Sequence, residues 1–168
     1  MSSSKLQQSL ASGNHQTLNT LIGNWEGRTQ TWFEPGEPID DSPVSGSIRP
    51  LFDGRFVLHE YRGSFEGKEF EGIAIYGYHL KTGKFQCAWM DTFHMGTGIM
   101  FSEAPGKEDV FNVLGSYEAS EEQPDERWGW RTQIDIVSED KITITAFNID
   151  PQGVETKATE TLYTRKGI

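Results

Sequence analysis

Short runs in which apolar and polar residues alternate recur roughly every ten residues from Asn24 to Arg165, and turn signals separate them. The runs fall at about 24–33, 44–52, 55–66, 70–79, 84–93, 96–103, 109–118, 127–138, 141–149 and 154–165. Asp53-Gly54 reads as a tight hairpin turn, and Glu66-Gly67-Lys68-Glu69 and Lys81-Thr82-Gly83-Lys84 as short glycine turns. Ser138-Glu139-Asp140 and Asp150-Pro151-Gln152-Gly153 close the last two hairpins. Sequential hairpins of this number favour an up-and-down order, and such a sheet removes its exposed edges by closing. The expected fold is therefore all-β, a closed antiparallel up-and-down barrel of about ten strands. A two-sheet sandwich is the alternative.

Ahead of the strands, residues 1–14 are rich in Ser, Gln, Asn and Gly and read as a flexible N-terminus. Residues 15–168 read as a single barrel domain. Leu18, Leu21 and Ile22 stand at helical spacing, which predicts one short amphipathic helix over His15–Ile22, with Gly23 as its stop. Several strands are apolar on both faces. Phe56 and Leu58 share a face with Glu60 and Arg62, while Val57, His59, Tyr61 and Phe65 occupy the other. The surplus apolar face is expected to meet the helix, a ligand or a second copy of the chain, so a homodimer is one expectation.

Charge and cysteine content narrow the setting. The formal net charge of −10 opposes binding to nucleic acid or to anionic membrane surfaces. The acidic stretch Glu118, Glu121, Glu122, Asp125 and Glu126 reads as a solvated loop. Cys87 is the single cysteine, so no internal disulfide forms, which suits a reducing compartment. No secretory leader and no membrane-length apolar run stand out, and the expected location is cytoplasmic.

Motifs in order add a family. Leu21-Ile22-Gly23-Asn24-Trp25-Glu26-Gly27 contains the Gly-x-Trp that opens lipocalin-like barrels. Gly54-Arg55-Phe56-Val57, Glu60-Tyr61-Arg62-Gly63 and Gly67-Lys68-Glu69-Phe70-Glu71-Gly72 follow. Then come Gly77-Tyr78, Trp89-Met90-Asp91, Gly96-Thr97-Gly98 and Tyr163-Thr164-Arg165. Over about residues 18–166 the chain resembles domain-of-unknown-function family 1579, with His79 where that family often carries Asp. The resemblance implies a calycin (lipocalin-like) barrel and no established activity. It also implies that Trp25 plugs one barrel end, with Arg165 of the last strand stacked over its ring.

The candidate ligand-binding residues are Glu60, Arg62, Tyr76, Trp89, Asp91, His94 and Trp130: aromatic rings on alternating strands with a few charges among them. They predict a small, partly apolar ligand in the barrel interior. Arg131 is expected to point outward, opposite Trp130. An alternative is a small hydrolase or isomerase using Glu60 or Asp91 as acid or base; a ligand-free structural homodimer is another. No catalytic residue is assigned. The histidines 15, 59, 79 and 94 lack metal-ligand spacing, so no metal and no cofactor are predicted, although a rim histidine such as His94 is of a kind that can ligate haem. Cys87, small and set in an apolar strand, reads as packing. The glycine pairs read as barrel curvature and not as anion sites.

Overall fold

The computed structural model describes residues 3–167. Two helices, α1 (Ser3–Ser12) and α2 (Asn14–Asn19), precede ten strands. These are β1 (Gly23–Thr31), β2 (Asp40–Leu51), β3 (Phe56–Phe65), β4 (Lys68–His79), β5 (Lys84–Asp91), β6 (Met100–Glu103), β7 (Phe111–Glu118), β8 (Arg127–Ser138), β9 (Lys141–Ile149) and β10 (Glu155–Arg165). Each strand pairs antiparallel with its sequence neighbour, and β1 closes the ring against β10. The up-and-down barrel expected from the alternation is the fold. The N-terminus differs from the sequence reading: residues 3–12, read as flexible, form α1, and the predicted helix starts one residue earlier and ends at Asn19.

The helices sit over one end of the barrel. Leu18 and Leu21 are buried there against Trp25, which is only 1% exposed. The Trp25 indole N–H donates to the Leu21 carbonyl at 2.8 Å. Arg165 lies over the Trp25 ring at 4.3 Å and also donates to the carbonyls of Ile22, Thr20 and Glu139. Trp25 and Arg165 thus take the plug-and-cover arrangement that the resemblance implied. The guanidinium adds hydrogen bonds that satisfy helix-end carbonyls, which have no partner inside the helix.

The β2–β3 hairpin is also tied to this end. Phe52, Asp53 and Gly54 all take left-handed backbone angles, with φ of 51°, 58° and 84°. Asn19 donates from Nδ2 to the Gly54 carbonyl at 3.1 Å. A Cβ at position 54 would run into that Asn19 amide, so glycine is required there for both conformation and space.

Inside this half the core is dense. Ile48, Val57, Phe85, Phe111, Val113, Ile134 and Ile142 are all buried in one cluster with Trp25. No helix among the described residues is long and apolar enough to cross a membrane.

Candidate functional site

Away from the helices the inward-facing side chains become smaller. Thr29 of β1, Ala74 of β4, Ser102 of β6, Thr132 of β8, Ala146 of β9 and Thr159 and Thr161 of β10 line this half, with Val44 of β2 and Ile144 of β9 the two branched aliphatics among them. Ten strands at fixed spacing enclose a fixed width, so small side chains leave space. The result is an internal cavity of about 100 Å³, walled also by His59, Tyr61, Tyr76, Cys87, Trp89, Asp91, His94, Trp130 and Tyr163.

Its floor is a buried histidine held between two tyrosines. His59 Nδ1 lies 2.9 Å from the Tyr76 hydroxyl and Nε2 lies 3.0 Å from the Tyr163 hydroxyl. Burial pushes the His59 imidazolium down to about 3, so the ring is neutral. Burial likewise raises the Tyr76 and Tyr163 phenols, which stay protonated. Tyr61 lies beside His59 with ring centres 4.9 Å apart and planes tilted by 39°, and its oxygen accepts the Trp89 indole N–H at 2.7 Å. Burial first, and the Asp91 charge second, raise its phenol too. Burial pushes the Cys87 thiol up to about 12, so it is an inert packing group, as the sequence suggested.

The rim is aromatic. Trp89 and Trp130 are stacked, with ring centres 5.4 Å apart and planes 14° from parallel. His94, in the loop after β5, lies 5.5 Å from the first and 5.4 Å from the second. Asp91 fixes this loop. Its buried carboxylate accepts the backbone N–H groups of His94 and Met95 and the His94 Nδ1–H, each at 2.7 Å. Because a carboxylate only accepts, Nδ1 carries the hydrogen and Nε2 is the nitrogen presented elsewhere. Phe93 adds a second anchor by stacking on Phe65 and Phe70 at 5.0 and 5.3 Å.

Of the sequence-selected residues, Tyr76, Trp89, Asp91, His94 and Trp130 come together around one cavity. Glu60 and Arg62 do not, and their placement inside is corrected. Both project from the outer surface of β3, where Glu60 meets Arg49 at 3.9 Å and Arg62 meets Glu71 at 3.5 Å. Their side chains are 51% and 81% exposed. An open concavity of about 900 Å³ on the barrel exterior includes them. The physical reason is the register of β3: Val57 and His59 face inward, so Glu60 and Arg62 face out with Phe56 and Leu58. Glu60 is therefore withdrawn as an acid or base in a cleft. Asp91 is inside, but its oxygens are engaged in holding His94. Arg131 is outward as expected, paired with Glu155 and lying 4.1 Å over Phe147.

Sequence reasoning missed His59, Tyr61 and Tyr163 as floor residues. A usable signal was present: His59 and Tyr61 alternate with Val57, and Thr159, Thr161 and Tyr163 lie at every second position of the closing strand. Among the described residues no group of three or more His, Cys, Asp and Glu could hold a metal ion.

Solved structures share the architecture. Rv2717c from M. tuberculosis superposes with a TM-score of 0.58 at 13% identity, covering 93% of this chain and 99% of that one. The S-type phycobiliprotein lyase CPES from Guillardia theta gives a TM-score of 0.58 at 10% identity, covering 91% and 92%. At these identities the likeness concerns the fold alone. Comparison with curated proteins finds no match. The model of the family described as "Protein of unknown function (DUF1579)" matches residues 11–165, and the chain belongs to that family.

Proposed function

We propose that the protein is a binding module that takes up a small, partly apolar molecule in the half of the barrel away from the helices. The observation that carries this reading is the switch from large to small inward side chains along the same strands, which opens a cavity between an aromatic rim and a polar floor. Sites of this kind, apolar walls with a few placed polar groups, are where small ligands bind. The proposed ligand contacts are Tyr76, Trp89, Asp91, His94 and Trp130 from the sequence reading, joined by His59, Tyr61 and Tyr163.

The test pairs native mass spectrometry with a filling variant. Freshly purified wild type is expected to carry a discrete adduct, or to show benzene-induced NMR shifts at the Trp89 and Trp130 indole N–H groups. Ala146→Leu, which fills the cavity, is expected to abolish both at a stability cost of no more than about 1–3 kcal/mol, the range for adding methylenes to a packed interior. A bare mass together with unmoved indole resonances in the wild type would overturn the reading.

An outer apolar row supports a second proposal, the homodimer. Leu58, Ile75, Ala88 and Phe101 lie opposite one another across β3, β4, β5 and β6, running from buried Leu58 through half-buried Ile75 and Ala88 to Phe101, which is 60% exposed. Light scattering is expected to give twice the chain mass, and Phe101→Lys to halve it; a monomer mass for the wild type sinks this proposal. A reducing, cytoplasmic location is proposed from the lone buried Cys87.

A further inference from the structure

Hydrogen-bond arithmetic at the cavity floor defines what chemistry the site accepts. A neutral imidazole has one N–H and one lone pair. Of the two hydroxyls against His59, one must therefore accept the ring N–H and the other must donate to the bare nitrogen. The hydroxyl that accepts keeps its own hydrogen. Tyr61 is in the same position, since its oxygen accepts from Trp89 and its hydrogen has no acceptor among the described residues. Two buried O–H donors thus remain uncommitted on one wall.

The fold makes deliberate room for them. A Cβ at Gly46 on β2 would collide with the Tyr163 hydroxyl and His59 Nε2. A Cβ at Gly72 on β4 would collide with the Tyr61 hydroxyl and ring. Tyr61 is in register with both glycines, so the phenols lie over bare backbone on neighbouring strands. A buried donor without an acceptor is unfavourable, and a ligand that supplies an acceptor recovers that loss.

Charge and size complete the specification. No Lys or Arg lines the cavity, whereas the Asp91 carboxylate does, so a buried anion would meet like charge and no counter-ion. An uncharged acceptor suits the floor. The volume of about 100 Å³ is smaller than the ~150 Å³ apolar cavity that holds a benzene ring, so a single ring is the upper limit and would reach into the mouth between Trp89 and Trp130. We infer that the cavity selects an uncharged carbonyl compound of about single-ring size, with its oxygen on the hydroxyl of Tyr61 and on that of Tyr76 or Tyr163, and its ring toward Trp89 and Trp130. The inference rests on the binding-module reading and assigns that site a ligand class.

The experiment titrates ¹⁵N-labelled protein with acetophenone, its hydrocarbon isostere α-methylstyrene, and benzoate, following the Trp89 indole N–H that donates to Tyr61. Acetophenone is expected to bind at least tenfold more tightly than either comparator. Tyr61→Phe is expected to bring acetophenone to within about threefold of α-methylstyrene, both measured in that variant and followed at the Trp130 indole N–H because the substitution removes the acceptor of the Trp89 N–H. Tyr163→Phe, checked for folding by its thermal melt, serves as the second variant. Equal affinity for ketone and hydrocarbon in the wild type, or a preference for benzoate, overturns the carbonyl assignment while leaving a binding cavity in place. No shift with any of the three overturns the assignment, and the binding-module reading falls with it if benzene also fails.

Discussion

The two halves of the barrel interior are made by the same strands and filled by opposite rules. Toward the helices β8 and β9 contribute Ile134 and Ile142; toward the other end they contribute Thr132 and Ala146. β10 likewise runs from Tyr163 to Thr161 and Thr159, and β1 from Trp25 to Thr29. The helix-side half is close-packed and holds its polar atoms at the margin, in the Arg165 bonds. The other half holds its polar atoms at the centre, around His59 and Tyr61. One barrel can separate stability from recognition by grading side-chain size along its axis, because packing energy and empty space are set layer by layer.

That contrast can be broken most directly at Trp25. Trp25→Ala removes a fully buried ring, its indole hydrogen bond and the platform under Arg165, and is expected to cost about 3–5 kcal/mol by urea denaturation. A loss below about 1 kcal/mol would show that the plug is not where the fold's stability resides.

A smaller effect tests the polar half. The His59 imidazole titrates near 3 in the native protein, against about 6.5 when unfolded. Between those values the unfolded chain binds the extra proton, so stability is fully present above about pH 6.5 and declines as pH falls toward 3, by about 1.4 kcal/mol per pH unit. His15, lowered by burial and then by Arg55, acts in the same direction. Glu103, Glu118 and Glu155, lowered by hydrogen bonds led by Gln86, the Glu118 backbone and Arg131 respectively, add their own losses only below about pH 4.5. The window from 6.5 to 4.5 therefore isolates the histidines. Replacing His59 with Asn is expected to flatten the slope there by close to one proton; an unchanged slope would mean that the native ring titrates normally.

The smallest effect belongs to the outer surface. Glu60→Gln and Arg62→Gln are expected to change stability by no more than about 0.5 kcal/mol and to leave ligand binding unaltered. A large loss of binding in either would bring the exterior concavity into the site.

The comparison also explains what was legible in the sequence. Strand number and hairpin order could be read because turn chemistry and period-two alternation are local, whereas the Trp25–Arg165 pair was implied by the family resemblance alone. The site was legible only in part. Trp89 and Asp91 share a face with Cys87 and Phe85, and that face is unambiguous. β3 was ambiguous, because Phe56 and Leu58 are apolar and yet lie outside, while the inward set includes a histidine. Only the neighbours across β2 and β4 decide which face is covered, and those pairings lie outside any single run. The inward faces that carry His59, Tyr61 and Tyr163 have a period-two signal, but their pairing has none: His59 and Tyr163 are 104 positions apart, and barrel closure alone joins them. α1 was missed because its serines and glutamines carry little amphipathic signal, and Ser9 gains a partner only when it packs on His15.

The Arg165 contacts set the order in which the chain can become a finished object. Hydrogen bonds spanning 143 and 145 positions tie the last strand to the segment just before the first. Until β10 pairs, β1 and β9 each present an unpaired edge to any passing strand. A nascent chain held short of β10 thus exposes both edges, and the eleven residues of that strand convert it from an open ribbon into a ring without ends.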